Sequence, residues 1–407
     1  MDRNLLVERN RRMAEAFHKT SFKEKIRRAI LYDVGHIPFS PQPVTAESSR
    51  RVLLIRPDHL GDVLLTTPSI QALRRALPQS EIHALVGSWS ANVLAPFDEI
   101  DHVLTLPFPA FDRNPKLNWR SPYQLAWRSA QKLRKIGYGQ AVILRPDHWW
   151  GALLAWMAGI PVRVGYDHPD LTRFITHVVP RQEKQHAVEQ NIRLIQRLLD
   201  VPTTPINPQD YPLNYPVSSE ERSWIHGYLE EWDLPQPRRM IAIHAGSGSI
   251  YKNWDNSRWA SVADTLSEQL DATIILTGST QEIPLAKAIA SEMKQIPIIA
   301  AGDTNIGTLA ALFEQCLIVL GTDSGPLHLA SAVKTPTVAL FGPADPIEFG
   351  TWGPKERHLI LASTIGCRPC RILNWAGDDL ENHPCMRDIQ LGQVLTAART
   401  VARASLE

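Results

Sequence analysis

The amino-acid sequence predicts an α/β protein built from two doubly wound domains, and three observations support this fold class. The chain has 407 residues, a length that suits two domains. Apolar runs without polar alternation, such as 51–55 and 240–244, alternate with segments of helical periodicity, which predicts parallel strands buried on both faces. A proline-rich stretch at 200–219 separates the two series of strands and predicts a linker.

The composition excludes several classes of protein. Apolar residues make up 44% of the chain and charged residues 21%, as in ordinary globular enzymes. The net charge of +1 provides no basic field for nucleic acid, and the four cysteines do not form the framework of a small secreted protein. The polar start does not resemble a signal peptide, and no apolar run approaches the roughly 20 residues that cross a bilayer. We therefore expect a cytoplasmic protein.

Residues 1–50 are expected to form an extension and linker before the first domain. Segment 10–34 combines Arg and Lys with apolar residues at roughly helical spacing, which is typical of a basic amphipathic helix. Such a helix would either make a peripheral contact with an anionic inner membrane or pack on the first domain. The sequence leaves both alternatives open.

The N-terminal domain is expected at 51–200. Strands are predicted at 51–55, 82–86, 102–106 and 140–144. The first long helix is predicted to begin at Pro68 with Thr67 as N-cap, because proline suits the first helical position. Further helices are predicted at 91–97 and 122–136.

A linker is expected at 201–235, then the C-terminal domain at 236–388 and a terminal helix at 389–407. The strands of this domain are predicted near Met240, Thr273, Ile296, Leu317 and Thr337. In both domains the ligand is expected at the carboxyl ends of the strands.

Two loops of the second domain predict a nucleotide site. Small residues at 245–249 follow a buried strand and precede Lys252, a suitable point charge for a phosphate. Segment 321–328 follows another strand and opens a helix, with Asp323 and Ser324 as candidate N-caps. Free backbone N–H groups at such a helix start favour an anion.

The sequence Arg-Pro-Asp-His occurs twice in the first domain, at 56–59 and 145–148, each time after a predicted strand. Both copies should lie at the carboxyl edge of one sheet, so we predict that the two loops face one ligand. Gly61-Asp62 follows the first copy in a predicted tight turn. A carboxylate at such a turn would either project toward ligand or cap a helix.

Several of these segments resemble glycosyltransferase family 9, the lipopolysaccharide heptosyltransferases. The resemblance lies in 51–56 leading into 61–68, in the donor loop 322–330, and in 339–343 and 385–389, and it extends from residue 51 to the C-terminus. It implies the GT-B architecture, with two Rossmann-like domains facing a cleft. It also implies an inverting, metal-independent transfer of heptose from ADP-heptose to a lipid-linked saccharide of the lipopolysaccharide core.

The resemblance also implies roles for individual residues. Asp62 corresponds to the family's proposed general base, and Lys252 of the Lys-x-Trp motif would hold the donor phosphates. From the residues themselves, His59 is a rival base, three positions before Asp62 in the same loop. Glu282 would bind the donor ribose. The remaining donor-binding candidates are Ser247, Gly248, Gly278, Asp323, Ser324, Gly325 and His328. The acceptor-binding candidates are Arg56, His59, Arg145 and Asp147, because an arginine fork suits a phosphate or carboxylate.

No Asp-x-Asp pair is present, so we expect no metal and no cofactor beyond the donor substrate. Cys367 and Cys370 have metal-ligand spacing, with His383 and Cys385 farther along, and this incomplete pattern leaves a zinc site open. Asp255 stands where the family often has proline.

The alternative functions are a family 9 transferase with another nucleotide-sugar donor, a hydrolysing sugar-nucleotide epimerase, and a non-catalytic protein that binds a nucleotide sugar.

Overall fold

The computed structural model describes residues 2–36, 41–112, 120–232, 239–373 and 379–406. It divides into two compact units. The N-terminal unit comprises Thr20–Asn207, and the C-terminal unit comprises Met1–Lys19 together with Pro208–Glu407. Each unit contains one six-stranded parallel sheet flanked by helices, so the predicted pair of doubly wound α/β domains is confirmed.

The N-terminal extension forms two helices, α1 (Arg3–His18) and α2 (Phe22–Val34). The break between them is set by Ser21, whose side chain and that of Glu24 form a reciprocal capping box at the start of α2. Helix α1 belongs to the C-terminal unit and α2 to the N-terminal unit. The structure therefore differs from the prediction of one extension placed before the first domain.

Helix α1 packs on the C-terminal unit through polar contacts. The Asn10 amide donates to the carbonyl of Asn382 at 2.7 Å, and the Arg11 guanidinium donates to the carbonyl of Gly366. Asn10 is buried by this contact. The sequence alternative that the extension packs on the first domain thus applies to α2 and not to α1.

Helix α2 is attached to the N-terminal unit by two arginines. Arg28 Nε lies 2.6 Å from one carboxylate oxygen of Asp170, and Arg27 Nη2 lies 3.3 Å from the other. Asp170 is buried, and Leu31 joins the core of the unit. The opposite side of α2 stays exposed.

The sheet of the N-terminal unit has the order β3-β2-β1-β4-β5-β6. Its strands are β1 (Arg51–Arg56), β2 (Glu81–Val86), β3 (His102–Thr105), β4 (Gln140–Ile143), β5 (Val162–Tyr166) and β6 (His177–Val179). The other helices of the unit are α3 (Leu60–Leu64), α4 (Thr67–Ala76), α5 (Ala91–Leu94), α6 (Ser121–Ile136), α7 (Trp149–Met157) and α8 (Ala187–Leu198). Pro68 lies in the first turn of α4, but the N-cap is Thr66 and not Thr67.

The sheet of the C-terminal unit has the order β12-β11-β10-β7-β8-β9. Its strands are β7 (Met240–His244), β8 (Thr273–Leu276), β9 (Ile298–Ile299), β10 (Ile318–Thr322), β11 (Thr337–Phe341) and β12 (His358–Ala362). Its helices beyond α1 are α9 (Ser219–Glu230), α10 (Asn256–Leu270), α11 (Ile283–Glu292), α12 (Ile306–Glu314), α13 (Gly325–Ala332), α14 (Pro346–Phe349) and α15 (Leu391–Leu406).

The central strands are buried on both faces, as their unbroken apolar runs predict. In β1 the run 52–55 is at most 1% exposed, and in β7 every residue is buried. Each fully buried aliphatic side chain of this kind contributes about 1.5–3 kcal/mol through the hydrophobic effect. The sheets are therefore rigid platforms for the loops at their ends.

The segment predicted as a linker, 201–235, contains helix α9, which belongs to the C-terminal unit. Ser218 and Glu221 form a capping box that starts this helix. The predicted domain start at 236 lies outside the described residues. In the described part of the chain, no helix combines the length and apolarity needed to span a bilayer.

Candidate functional site

Each sheet has a topological switch point between its two central strands. From β1 the chain proceeds through β2 to β3 on one side, whereas from β4 it proceeds through β5 to β6 on the other. In the second sheet β7 and β10 are related in the same way. Loops at such points diverge and leave a crevice at the carboxyl ends of the strands, where open α/β sheets bind ligands.

The two Arg-Pro-Asp-His loops meet at the switch point of the N-terminal unit, because β1 pairs with β4. Asp58 lies between both arginines: its Oδ2 is 2.7 Å from Arg56 Nε, and its Oδ1 contacts Arg145 Nη1. Arg145 Nε also lies 2.6 Å from Asp147 Oδ1. The structure thus brings together three of the four predicted acceptor residues, and it adds Asp58.

Exposure separates the members of this cluster. Arg56 and Asp58 are buried, whereas the side chains of Arg145 and Asp147 are 34% and 49% exposed. Burial acts to raise the pKa of Asp147, but the charge of Arg145 outweighs it and holds that pKa below its ordinary value. Arg145 and Asp147 are therefore the charged groups of the cluster that a ligand can reach.

Asp62 lies in the first turn of α3, and its side chain is 34% exposed. Its Oδ1 is 3.4 Å from Arg56 Nη2. The N-cap of α3 is His59, whose side chain makes no capping hydrogen bond, so the alternative role of Asp62 as N-cap is wrong. His59 is exposed, with its ring 5.7 Å from that of Trp89.

Sequence reasoning did not assign roles to the residues that support this cluster. Asn191, fully buried on α8, accepts from Arg56 at 3.4 Å and donates to the carbonyl of Leu65. Trp89 donates to the carbonyl of Asp58 at 3.0 Å. Asp58 could have been selected because it occupies the third position of the repeated tetrapeptide, but nothing in the sequence pattern identifies Asn191 or Trp89.

In the C-terminal unit, Lys252 and Asp323 form a buried ion pair. Lys252, at the end of a short 3-10 helix, places Nζ 2.7 Å from Asp323 Oδ2 and 2.8 Å from the Asp323 carbonyl oxygen. The side chains are only 14% and 9% exposed. The loops after β7 and β10 therefore meet through these two residues, which the sequence had assigned to different motifs.

Small and hydroxyl residues shape the loop after β7. The Ser247 hydroxyl donates to the Ser249 carbonyl at 2.7 Å, which fixes the loop, and Gly248 has open space where a side chain would stand. Thr322, buried at the end of β10, donates to the carbonyl of Gly246 at 3.1 Å. The loop is thus held against β10 while its Gly248 backbone stays accessible to a ligand.

Glu282 lies at the neighbouring strand end, after β8. Its Oε2 accepts from the backbone N–H and the hydroxyl of Ser279 in a capping box. A side chain at Gly246 would collide with Glu282 Oε1, and one at Gly278 would crowd Glu282 Cβ. The two glycines therefore allow the Glu282 carboxylate to lie against the loop after β7, with Oε1 turned toward it.

His328, in the second half of the donor loop, is the fourth residue of α13, at the end of its first turn, and is buried. Burial lowers the pKa of His328 to about 4, against the opposing effect of Asp323, so the imidazole is neutral at pH 7. Helix α13 begins at Gly325 with Ser324 as N-cap, but the Ser324 hydroxyl donates to the Thr322 carbonyl and does not cap the helix. The first turn therefore has no side-chain cap from Ser324; within it Pro326 has no N–H, and the Leu327 N–H donates to the Ser324 carbonyl at 3.2 Å.

The three late cysteines line a small pocket of the C-terminal unit with His383 and Asn10. Burial raises the pKa of Cys370, and it raises the pKa of Cys385 to about 12, so these thiols are protonated at neutral pH. In the described part of the chain, they do not form a group of three ligand atoms within 4.8 Å of one another. The expectation of a metal-free protein stays a prediction.

Known proteins resemble this chain in sequence and in structure. The family description "Glycosyltransferase family 9 (heptosyltransferase)" matches residues 126–374, which is more than half of the chain. Lipopolysaccharide heptosyltransferase 3 of Escherichia coli is 26% identical over 325 residues, covering 78% of this chain and 86% of that protein. Lipopolysaccharide heptosyltransferase 1 of Pseudomonas aeruginosa is 26% identical over 329 residues, covering 79% and 86%.

Solved structures share the fold. A glycosyltransferase family 9 protein from Veillonella parvula has a TM-score of 0.71 with 24% identity, covering 88% of this chain and 99% of that one. ADP-heptose lipopolysaccharide heptosyltransferase II of E. coli has a TM-score of 0.67 with 20% identity, covering 88% and 100%. The iron-containing dodecameric glycosyltransferase TibC from enterotoxigenic E. coli has a TM-score of 0.52 with 13% identity, covering 89% and 78%.

The family match spans α6 to the loop after β12, so it includes both the Arg145 loop and the Lys252–Asp323 pair. The matched relatives extend over most of this chain and of their own length. The GT-B type fold and the sequence relationship agree, and this chain belongs to glycosyltransferase family 9, the heptosyltransferase family, and is a glycosyltransferase.

Proposed function

We propose that the protein is an inverting, metal-independent heptosyltransferase that moves heptose from ADP-heptose to a lipid-linked saccharide of the lipopolysaccharide core. The observation that carries this proposal is the buried Lys252–Asp323 pair at the switch point of the C-terminal unit. The names of the matched relatives, lipopolysaccharide heptosyltransferases 1 and 3, support the choice of sugar and pathway.

The donor diphosphate would bind at the carboxyl ends of β7 and β10. An ammonium group has three donors, and Lys252 uses two of them on Asp323, which leaves one for a phosphate oxygen. The start of α13 adds the backbone N–H of Gly325 and the positive end of the helix dipole. These groups would stabilise the negative charge that develops on the leaving diphosphate. Glu282 Oε1 would accept from the donor ribose.

Asp62 would act as the general base. In the transfer, the acceptor oxygen bonds to the anomeric carbon as the bond to the diphosphate oxygen breaks, and the acceptor proton passes to the Asp62 carboxylate. The contact with Arg56 orients this carboxylate, which remains one-third exposed. Arg145 and Asp147 would contact the charged or hydroxyl groups of the acceptor.

A lipid-linked acceptor implies work at a membrane surface, and we place the protein at the cytoplasmic face as a peripheral protein. Support comes from α2, on which Phe22, Ile26 and Ile30 are 76%, 45% and 56% exposed. These residues follow one another at intervals of four and form one apolar stripe. An amphipathic helix with this pattern can lie in the membrane interface.

Thermal unfolding with nucleotides tests the donor site. ADP should raise the melting temperature, whereas UDP, GDP and CDP should raise it less. EDTA should not change the size of the shift that ADP causes. A ligand at about 100 times its dissociation constant adds roughly 2.7 kcal/mol. Lys252→Ala should abolish the ADP effect, and Lys287→Ala, an exposed lysine of α11, should keep it.

The outcomes separate the alternatives. Preference for another nucleotide would exclude ADP-heptose while keeping the transferase. Loss of the ADP effect in EDTA would contradict the metal-free donor site. For the chemical step, Asp62→Asn should keep ADP-heptose binding and lose transfer by about 10²–10⁴-fold. Full transfer activity in Asp62→Asn would exclude this residue as the base.

A further inference from the structure

A second cluster of ligating side chains lies in the N-terminal unit, at the amino ends of β2 and β3. It consists of Glu81, His83 and His102, which we call the edge cluster. Glu81 and His83 are two residues apart on β2 and therefore point to the same face, and His102 is the register partner of His83 on the edge strand β3.

The three side chains present one ligand atom each, all within 4.8 Å of one another. Glu81 Oε1 lies 2.9 Å from His83 Nε2 and 3.7 Å from His102 Nε2. The two imidazole rings are 4.6 Å apart and nearly perpendicular, so their nitrogen atoms converge on the same carboxylate oxygen. His102 is 60% exposed, which opens the cluster to solvent.

Outer groups hold two of the ligands in place. The Tyr138 hydroxyl lies 2.7 Å from His83 Nδ1, and Tyr138 itself is fully buried. A His83 imidazole with its proton on Nδ1 donates to Tyr138, which leaves the Nε2 lone pair directed at the cluster. Arg51 Nε takes the other oxygen of Glu81, Oε2, at 2.6 Å, so Oε1 stays directed toward the histidines. Glu47 pairs with Arg51 and offsets its charge.

We propose that the edge cluster binds one divalent zinc ion through His83 Nε2, His102 Nε2 and Glu81 Oε1, with water as the fourth ligand. Zinc accepts imidazole nitrogen and carboxylate oxygen at about 2.0–2.2 Å in tetrahedral geometry. Ligand atoms on such a tetrahedron lie about 3.4 Å apart, as follows from those bond lengths. The separations of 2.9 and 3.7 Å lie on either side of this value, and all three ligand atoms lie within 4.8 Å of one another, so small side-chain rotations would complete the site. Donation from His83 Nδ1 to Tyr138 is the usual outer contact of a zinc-bound histidine.

The position of the site indicates a structural role. It lies at the amino ends of the strands, whereas the Arg56 and Arg145 loops follow their carboxyl ends. The zinc ion would join the edge strand β3, the least buried strand of this sheet region, to β2. Metal binding would therefore stabilise the folded N-terminal unit and would take no part in the transfer of sugar.

Zinc titration of the metal-free full chain tests this proposal. To exclude thiol ligands, the Cys367→Ser/Cys370→Ser protein serves as the parent, since both residues are only partly buried. Calorimetry should show one zinc ion per chain, and Co²⁺ should give the visible spectrum of a tetrahedral site. His102→Ala in this parent should weaken zinc binding by more than about 10-fold. Because the His102 ring is exposed, His102→Ala should fold like the parent, and circular dichroism checks this.

The matched control is His177→Ala, a partly buried histidine on β6 at the opposite edge of the same sheet. It should bind zinc like the parent. Zinc should also raise the melting temperature of the parent and of His177→Ala, and not of His102→Ala. The proposal is overturned if the parent binds no zinc, or if His102→Ala binds it as tightly as the parent.

Discussion

Asp58 is the carboxylate on which both arginines of the N-terminal cluster converge. Its side chain is 3% exposed and pairs with Arg56 and Arg145, whereas the side chain of Asp147 pairs with Arg145 and is 49% exposed. Removing one member of a buried ion pair leaves an uncompensated charge in a medium that solvates it poorly. The two aspartates therefore allow the effect of burial to be measured with the same substitution.

We expect Asp58→Asn to lower the free energy of unfolding by about 3–5 kcal/mol, because Arg56 then lacks its buried partner. Asp147→Asn should lower it by less than about 1 kcal/mol, since exposed pairs contribute little. Urea unfolding followed by circular dichroism measures both. Equal losses in the two variants would show that Asp58 is not the anchor of the cluster.

At the level of residues, the sequence predicted which loops meet but not how their side chains pair. The repeated tetrapeptide placed Arg56 and Arg145 at one sheet edge, and the pairing of β1 with β4 brings them there. Both copies contain an aspartate, so the sequence does not show whether Asp58 or Asp147 lies between the two arginines. Burial of Asp58 decides this in the fold. The same holds for the two loops of the donor site. Each was predicted from its own sequence, but the contact of Lys252 with Asp323 follows from the pairing of β7 with β10.

Among the elements, the strands with unbroken apolar runs could be predicted, whereas β5, β6, β12 and the course of the extension were not. An unbroken, short apolar run such as 52–55 favours a strand buried on both faces, and 52–55 is such a strand. Helix α1 is held by contacts such as Arg9 with Asp379, separated by 370 residues. Its periodicity showed a helix but contained no information about its partner. Likewise, the break between α1 and α2 depends on the capping box of Ser21 and Glu24, which the overall helical pattern of 10–34 does not show.

The exposed stripe of α2 leads to a prediction at this scale. If α2 lies in a membrane interface, Phe22→Ser/Ile26→Ser should reduce binding to phosphatidylglycerol vesicles about 10-fold or more. Burying one large apolar side chain contributes about 1.5–3 kcal/mol. Co-sedimentation with vesicles measures the bound fraction. Both residues are exposed, so the fold should not change.

Ile296→Ser is the control for that experiment, because Ile296 is 93% exposed but belongs to the C-terminal unit. It should bind vesicles like the unmodified protein. Membrane contact through α2 would be excluded if the double variant bound as well as the unmodified protein, or if the latter did not bind anionic vesicles.

Across the whole molecule, buried histidines link stability to pH. Burial lowers the pKa of His148 to about 3 and the pKa values of His328 and His358 to about 4, from an ordinary value of 6.5. The unfolded chain therefore binds protons at these sites between pH 6.5 and about 4, where the folded chain does not. The free energy of unfolding is therefore not reduced by these histidines above pH 6.5, and it falls as the pH drops from 6.5 toward about 4.

We expect the free energy of unfolding to fall by roughly 1 kcal/mol per buried histidine between neutral pH and about pH 5.5. His358→Gln should reduce this slope, because glutamine can replace the contacts of His358 with Thr337 and Ser331 without titrating. His226→Gln, an exposed histidine at 69%, should leave the slope unchanged. Urea unfolding at the two pH values measures each slope. Equal free energies of unfolding of the unmodified protein at the two pH values would show that these imidazoles become protonated without unfolding. An unchanged slope in His358→Gln would show that His358 does not contribute to the pH dependence.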